Sequence, residues 1–324
     1  MIGSLVPKAE LHLHIEGTLE PELAFALAAR NGVTLPYPNV AALSNAYAFT
    51  DLGSFLTLYY RCMDVLRTAQ DFHDLAEAYL ARAEADGVRH AEIFFDPQAH
   101  LNRAVPLAEV MAGLISASTG RPGLTVSLIA CFMRDLGPAD AMRTLEQLVP
   151  YVDHIVGVGL DSAEVGHPPS AFGAVFEAAA GLGFRLVAHA GEEGPPDYIW
   201  QAIDILGVER VDHGIRAVED VALMRRLARD AIALTVCPLS NVKLGCVPNL
   251  SAHPLPTLLE HGVLVTLHSD DPAYFGGYIG ANYDRAAAEL GLSESDLRTF
   301  AERSFTASFL DRDTVARHHA SIWT

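Results

Sequence analysis

Basic residues are scarce in this chain. Lys and Arg number 22 against 40 Asp and Glu, a formal net charge of −18. Such a surface repels phosphates, and no Lys/Arg stripe offsets it, so no nucleic-acid partner is expected. Cysteine is rare too. The four present (Cys62, Cys131, Cys237, Cys246) lack CxxC spacing, which argues against a disulfide framework or a thiolate zinc site and fits a reducing cytoplasm. No apolar run approaches the ~18 residues of a membrane span. The segment Met1 to Pro7 has neither the basic stretch nor the long apolar core of a signal peptide. What remains is a chain of 324 residues, 50% hydrophobic, able to bury one large core. It is expected to be a single domain, 1–324.

The apolar residues are organised in short runs. Eight read as strands: Glu10–His14, Val88–Asp96, Leu124–Met133, His154–Asp161, Phe184–His189, Arg210–His213, Ile232–Cys237 and Val263–Ser269. Between them lie amphipathic helical stretches such as Pro169–Leu182, Pro196–Leu206, Glu219–Asp230 and Leu255–His261. Strands alternating with helices imply parallel pairing through right-handed crossovers, and eight such units predict a closed (β/α)8 TIM barrel. An open doubly wound sheet is the competing architecture. It would more comfortably carry a glycine-rich phosphate fingerprint after its first strand, and none is present.

The polar residues favour the barrel. His12 and His14, Asp96, Asp161, His189, Asp212 and His213, and Asp270 and Asp271 all fall at the C-terminal ends of expected strands. In a barrel those ends converge on one mouth; in an open sheet they would be strung along an edge. His12 and His14 alternate with apolar residues, so a strand presents both imidazoles on one face, as half of a metal site. His-x-His also occurs on solvated strands, so the pair alone leaves both readings open. One connection is long: 73 residues run from Ile15 to Gly87. Its aromatic stretch Ala46–Tyr60 predicts a helical insertion after strand 1, about residues 34–86. Such an insertion would cover the C-terminal mouth and exclude water from an apolar ligand; extra packing on the barrel's outside is the plainer alternative.

Five ordered motifs carry a resemblance. They are Pro7–Pro21 with its Glu-Leu-His-Leu-His-Ile-Glu-Gly run, His189-Ala-Gly-Glu192, Asp212-His-Gly214, Cys237-Pro-Leu-Ser-Asn241 and Ser269-Asp-Asp-Pro272. Together they resemble the adenosine/adenine deaminase family over nearly the whole chain. The adenine deaminase branch is the nearer one, through Leu160–Pro169, Asp270–Tyr278 and Glu16. The resemblance implies a metal-dependent hydrolase barrel holding one zinc ion per chain. The implied reaction is hydrolytic deamination of adenine to hypoxanthine and ammonia, a step of purine salvage, in the cytoplasm. Adenosine or another 6-aminopurine derivative is the alternative substrate, and a purine-binding barrel without activity the non-enzymatic alternative. The partner is a small 6-aminopurine, with no membrane; oligomerisation is left open.

The residues carried over by that resemblance are specific. His12, His14, His189 and Asp270 match the zinc ligands. Zinc lowers the pKa of bound water to about 7, which supplies a nucleophile at neutral pH. Glu192 matches the proton donor to ring N1 and must be protonated to act. His213 matches the group that orients the water and takes its proton, and Asp271 a side chain bonding the water or purine N7. Glu16 is expected at the substrate. Glu164 is expected to accept the N9 hydrogen of the free base, while Glu193 is expected to face solvent. His268 stands where the family more usually has Asn.

Overall fold

The computed structural model describes residues 2–323; Met1 and Thr324, the ends of the expected domain, lie outside the described residues. Eight strands form one barrel: β1 Lys8–Glu10, β2 Val88–Phe95, β3 Thr125–Met133, β4 Ile155–Asp161, β5 Arg185–Ala190, β6 Arg210–His213, β7 Ala233–Val236 and β8 Val265–Leu267. Each pairs in parallel with the next in chain order. The seam between β8 and β1 closes at the mouth through a parallel bridge of Leu13 with Asp270. There the His14 amide donates to the Asp270 carbonyl and the Asp270 amide to the His12 carbonyl, each at 3.1 Å. This is the (β/α)8 barrel expected from the alternation of runs.

Differences are local. The first strand was expected to run from Glu10 to His14, but regular pairing ends at Glu10, and Leu13 and His14 pair only through isolated bridges to Asp270 and Phe94. The two histidines therefore sit where strand geometry gives way to the mouth. The segment expected as one helix at Pro196–Leu206 is α-helical over Pro196–Gln201 and then widens to a π-turn over Ala202–Leu206.

Two apolar layers hold the barrel. The larger lies between strands and helices. The smaller is inside the barrel, where Phe94, Ile129, Cys131 and Val187 are fully buried and Phe309 closes them from the N-terminal end. Phe94 is also the floor of the mouth, its ring 5.2 Å from that of His12 and 5.1 Å from that of His14. In the long insertion, the helix Leu52–Cys62 begins with a capping box between Asp51 and Ser54. It buries Leu52, Phe55, Leu58, Tyr59 and Cys62 at helical spacing. The helix Ala69–Ala85 instead packs along the barrel wall beside Leu107–Ser118. That contact is close enough that a Cβ at Gly113 would lie 2.4 Å from the Ala69 carbonyl. Among the described residues, no helix is long and apolar enough to cross a membrane.

Candidate active site

His12, His14, His189 and Asp270 converge at the mouth, with one ligating atom of each within 4.8 Å of the others. What turns their Nε2 atoms inward is the fixing of their Nδ1 atoms. His12 Nδ1 lies 2.9 Å from Thr235 Oγ1 and 3.1 Å from the Thr235 carbonyl, and His189 Nδ1 lies 3.1 Å from the Leu160 carbonyl. Asp212 sits behind both, 3.8 Å from His12 Nδ1 and 3.7 Å from His189 Nδ1, while Asp161 lies 3.6 Å from His14 Nδ1. At His12 and His189, carbonyl acceptors at Nδ1 place the lone pair on Nε2. His14 Nε2 and His189 Nε2 then face each other at 3.2 Å, and His12 Nε2 is buried with no hydrogen-bond partner among the described residues.

Two imidazole nitrogens this close share a proton or a cation. Burial, reinforced by His12, holds the His189 imidazole well below its ordinary pKa, which leaves its Nε2 lone pair free for a cation. Burial opposes the ionised form of Asp270, but its contact with His12 overrides that and holds the carboxyl well below its usual range. Three imidazoles and one carboxylate suit a divalent transition ion. A second grouping keeps His12 and Asp270 and puts His213 and Cys237 in place of His14 and His189. Burial pushes that thiol well up, so it is protonated.

Strand ends here bend in a way that side chains rarely accept. Ser162, His213 and Asp270, which follow or end β4, β6 and β8, have φ of 68°, 62° and 65°. Non-glycine residues in the left-handed region cost about 1–3 kcal/mol each, and three at one mouth mark strain held for a site.

Beside the metal-ligand set lie the acid–base groups. His213 Nε2 is 3.5 Å from Glu192 Oε2 and 3.7 Å from Asp270 Oδ2. Burial, with His12 adding to it, lowers the His213 imidazole to about 3. Burial also pushes the Glu192 carboxyl well up, reinforced by Asp270, and does the same to Asp271. A relay fixes the tautomer of His213. The Leu255 amide donates to His253 Nδ1 at 3.0 Å, so the proton of neutral His253 is on Nε2, 3.3 Å from Asn241 Oδ1. Asn241 Nδ2 then donates to Glu192 Oε1 at 3.3 Å and to His213 Nδ1 at 3.2 Å. The remaining His213 proton lies on Nε2, pointing into the site. Asn241 and His253 were missed as functional positions. Asn241 stood in a quoted motif, whereas nothing in the run Ala252-His-Pro254 distinguishes a buried relay from a core histidine.

A cavity of about 470 Å³, counting its open mouth, joins these groups. Glu192, His213, Asp270, Asp271, Asp96 and Asp161 line its depth, and Leu52, Phe55, Leu56, Tyr59 and Tyr60 of the insertion roof it. Tyr60 reaches across to Ser162, hydroxyl to hydroxyl at 3.0 Å. Asp271 needs room that only glycine gives, since a Cβ at Gly17 would lie 2.0 Å from its Oδ1.

Several expected side chains point elsewhere. Glu16 does not line the cavity; its Oε1 accepts from the Asp96 amide at 3.2 Å and lies 2.7 Å from His100 Nε2. Pairing with a buried histidine behind the mouth, rather than with a ligand, explains this carboxylate. Glu164 reaches the cavity edge, but both of its oxygens are taken by the amides of Gly191, Glu192, Glu193 and Gly194 at 2.6–3.1 Å. Four amides already bond this carboxylate, three of them through Oε2, which commits it to the loop rather than to N9 of a base. Glu193 is half-buried, and its carboxylate accepts from the Leu52 amide at the start of the roofing helix. His268 bonds the Leu11 amide at 3.1 Å and Thr266 Oγ1 at 2.8 Å, anchoring the chain just before His12.

Comparison with known proteins agrees with this geometry. The family model described as adenosine deaminase matches residues 7–322. An adenine deaminase of Streptomyces coelicolor is 62% identical over 315 residues, covering 96% of this chain and 93% of the relative. The crystal structure of an adenine deaminase from Arthrobacter aurescens superposes with a TM-score of 0.97 at 50% identity, covering 98% of both chains. An amidohydrolase from Burkholderia ambifaria, solved with bound Zn, superposes with a TM-score of 0.90 at 28% identity, covering 99% of this chain and 91% of that one.

Proposed function

We propose that this chain, which belongs to the adenosine deaminase family, hydrolyses adenine to hypoxanthine and ammonia as a zinc enzyme. The observation that carries the reading is the juxtaposition in one cavity of a closed histidine–carboxylate ligand set and a buried carboxyl, Glu192, held protonated. His12, His14, His189 and Asp270, which cluster at the mouth, would hold the ion, and a structural relative solved with bound Zn supports a metal in this fold. When bound, zinc supplies Lewis acidity that lowers the pKa of a water to about 7.

The chain's own residues account for the rest. Protonated Glu192 donates to ring N1, which makes C6 electrophilic; water adds there, and as the C6–N6 bond breaks one of the water's protons leaves with the amino group as ammonia while the other returns to the Glu192 carboxylate. His213, with its proton on Nε2, orients the attacking water. Asn241 holds Glu192 and His213 in fixed relation. Asp271 offers Oδ1, buried without a partner among the described residues, to N7 or to the water. Tyr59 and the apolar residues of the roof exclude bulk water. Release of hypoxanthine would place the reaction in purine salvage.

The decisive experiment is chromatographic assay of adenine, 9-methyladenine and adenosine with zinc-loaded protein, alongside metal analysis. The reading expects about one zinc per chain and hypoxanthine from adenine in preference to inosine from adenosine. Faster turnover of adenosine would keep the mechanism and change the substrate. No ammonia from any 6-aminopurine, with zinc bound, would sink it.

A further inference from the structure

We infer that Glu164 is a positioning residue, an internal anion that fills a nest of four consecutive backbone amides and thereby fixes the loop that carries Glu192. The inference rests on the reading of Glu192 as the proton donor. Glu164 is 2% exposed, and no other buried carboxylate among the described residues is bonded in this way. Its Oε1 accepts from the Gly191 amide at 2.6 Å, and its Oε2 from those of Glu192, Glu193 and Gly194 at 3.1, 2.8 and 2.8 Å. Consecutive amides converge on one point only where the chain curls, and such curls bind anions.

The curl is written into the glycines at its ends. Gly191 has φ of 75°, and a Cβ there would lie 2.4 Å from Ile199 Cδ1. A Cβ at Gly194 would lie 2.5 Å from Glu164 Oε1 itself. Two arginines hold the flanks. Arg134, fully buried, donates from Nε to the His167 carbonyl and from Nη1 to the His189 carbonyl, both at 2.8 Å, tying the Glu164 loop to the end of β5. Arg216 donates from Nη1 to the Glu193 carbonyl at 2.6 Å and from its amide to the Gly191 carbonyl at 3.0 Å. Glu193, next along, bonds the first residue of the roofing helix. The loop thus sets the height of Glu192 against the ligand set and the roof together. Catalytic groups displaced by about 1 Å lose on the order of 10²-fold in rate.

The charge matters as well as the shape. A glutamine at 164 presents one oxygen and one NH₂, and the NH₂ must face amide hydrogens in either orientation. In zinc-loaded Glu164→Gln we expect kcat on adenine to fall about 10–100-fold with metal content intact and KM within about threefold. The amides of 191–194 should lose hydrogen-exchange protection. In Glu164→Ala, formate or acetate should enter the emptied nest, restoring part of kcat and of that protection in a saturable way that chloride at equal ionic strength does not reproduce. Glu164→Gln with near-wild-type kcat, lost kcat with unchanged protection at 191–194, or equal restoration by chloride would each overturn the inference. Glu192→Gln is the control. If that variant is fully active, the acid assignment fails, whereas protection at 191–194 in the Glu164 variants still reports on the nest.

Discussion

Both ends of the barrel bury charge, and they do it in opposite ways. At the N-terminal end Glu92 and Arg210 are almost wholly buried, and each is bonded within the chain, with only Arg210 Nε, 3.9 Å from Asp212, lacking a hydrogen-bond partner among the described residues. Glu92 Oε2 accepts from Arg210 Nη1 at 2.6 Å, and Oε1 accepts from the Phe309 amide at 2.5 Å and lies 3.2 Å from His90 Nε2. Arg210 also donates to the Ala307 and Leu11 carbonyls, both at 3.2 Å. At the C-terminal mouth, His12 Nε2 and Asp271 Oδ1 are buried without hydrogen-bond partners among the described residues, and two imidazole nitrogens face each other at 3.2 Å. A buried polar group that closes on its neighbours holds a fold together. One that is left open, inside strained backbone, is waiting for a ligand.

The difference predicts that the two ends fail differently. The largest loss should come at the mouth: Asp270→Asn should lower kcat by at least ~10³-fold, because the proposed ion would lose its only carboxylate ligand. Metal analysis and the melting temperature would separate this from unfolding, and an active, metal-loaded variant would break the comparison. At the closed end, Glu92→Gln leaves Arg210 buried without its counter-charge and should cost about 3–5 kcal/mol of stability. The kcat of the folded fraction should change little, as denaturant titration and single-concentration assay would read. Burial alone would raise Glu92, yet Arg210, His90 and the Phe309 amide bring it from 4.5 down to about 2. Its stabilisation is therefore complete above about pH 4.5 and lost as pH falls through about 2. The gap between wild type and Glu92→Gln should close over that window.

Glu192→Gln should lower kcat by ~10²-fold or more while keeping the metal, since it removes the proton and not a ligand. Asp212→Asn sharpens the contrast further, because Asp212 stands between the two ends, 3.9 Å from Arg210 Nε and behind His12 and His189. Loss of such a ligand-orienting partner weakens metal affinity ~10–100-fold, measurable by competition with a chelator. The smallest effect is expected at Tyr60→Phe, which removes only the bond to Ser162. A change of about 1 kcal/mol should appear as a modest rise in KM.

The sequence by itself determined the barrel and the contents of its mouth. Alternation of short apolar runs with amphipathic stretches dictates parallel strands with helical crossovers, and polar residues at run ends have one place to converge. That His12, His14, His189 and Asp270 would meet was legible because ligand chemistry restricts residue type. Tertiary structure alone decided where each carboxylate spends its lone pairs. Glu16, Glu164 and Glu192 are equally plausible substrate contacts as letters. One is tied to His100, one to four amides, and one faces the cavity. Hydrogen-bond partners come from residues 27 to 84 positions away, and no local period encodes them. The same holds for His253 and Asn241, whose relay exists only because a loop after β7 folds back over β6. Strand patterns are a property of neighbours in the chain, whereas the use of a buried charge is set by neighbours in space.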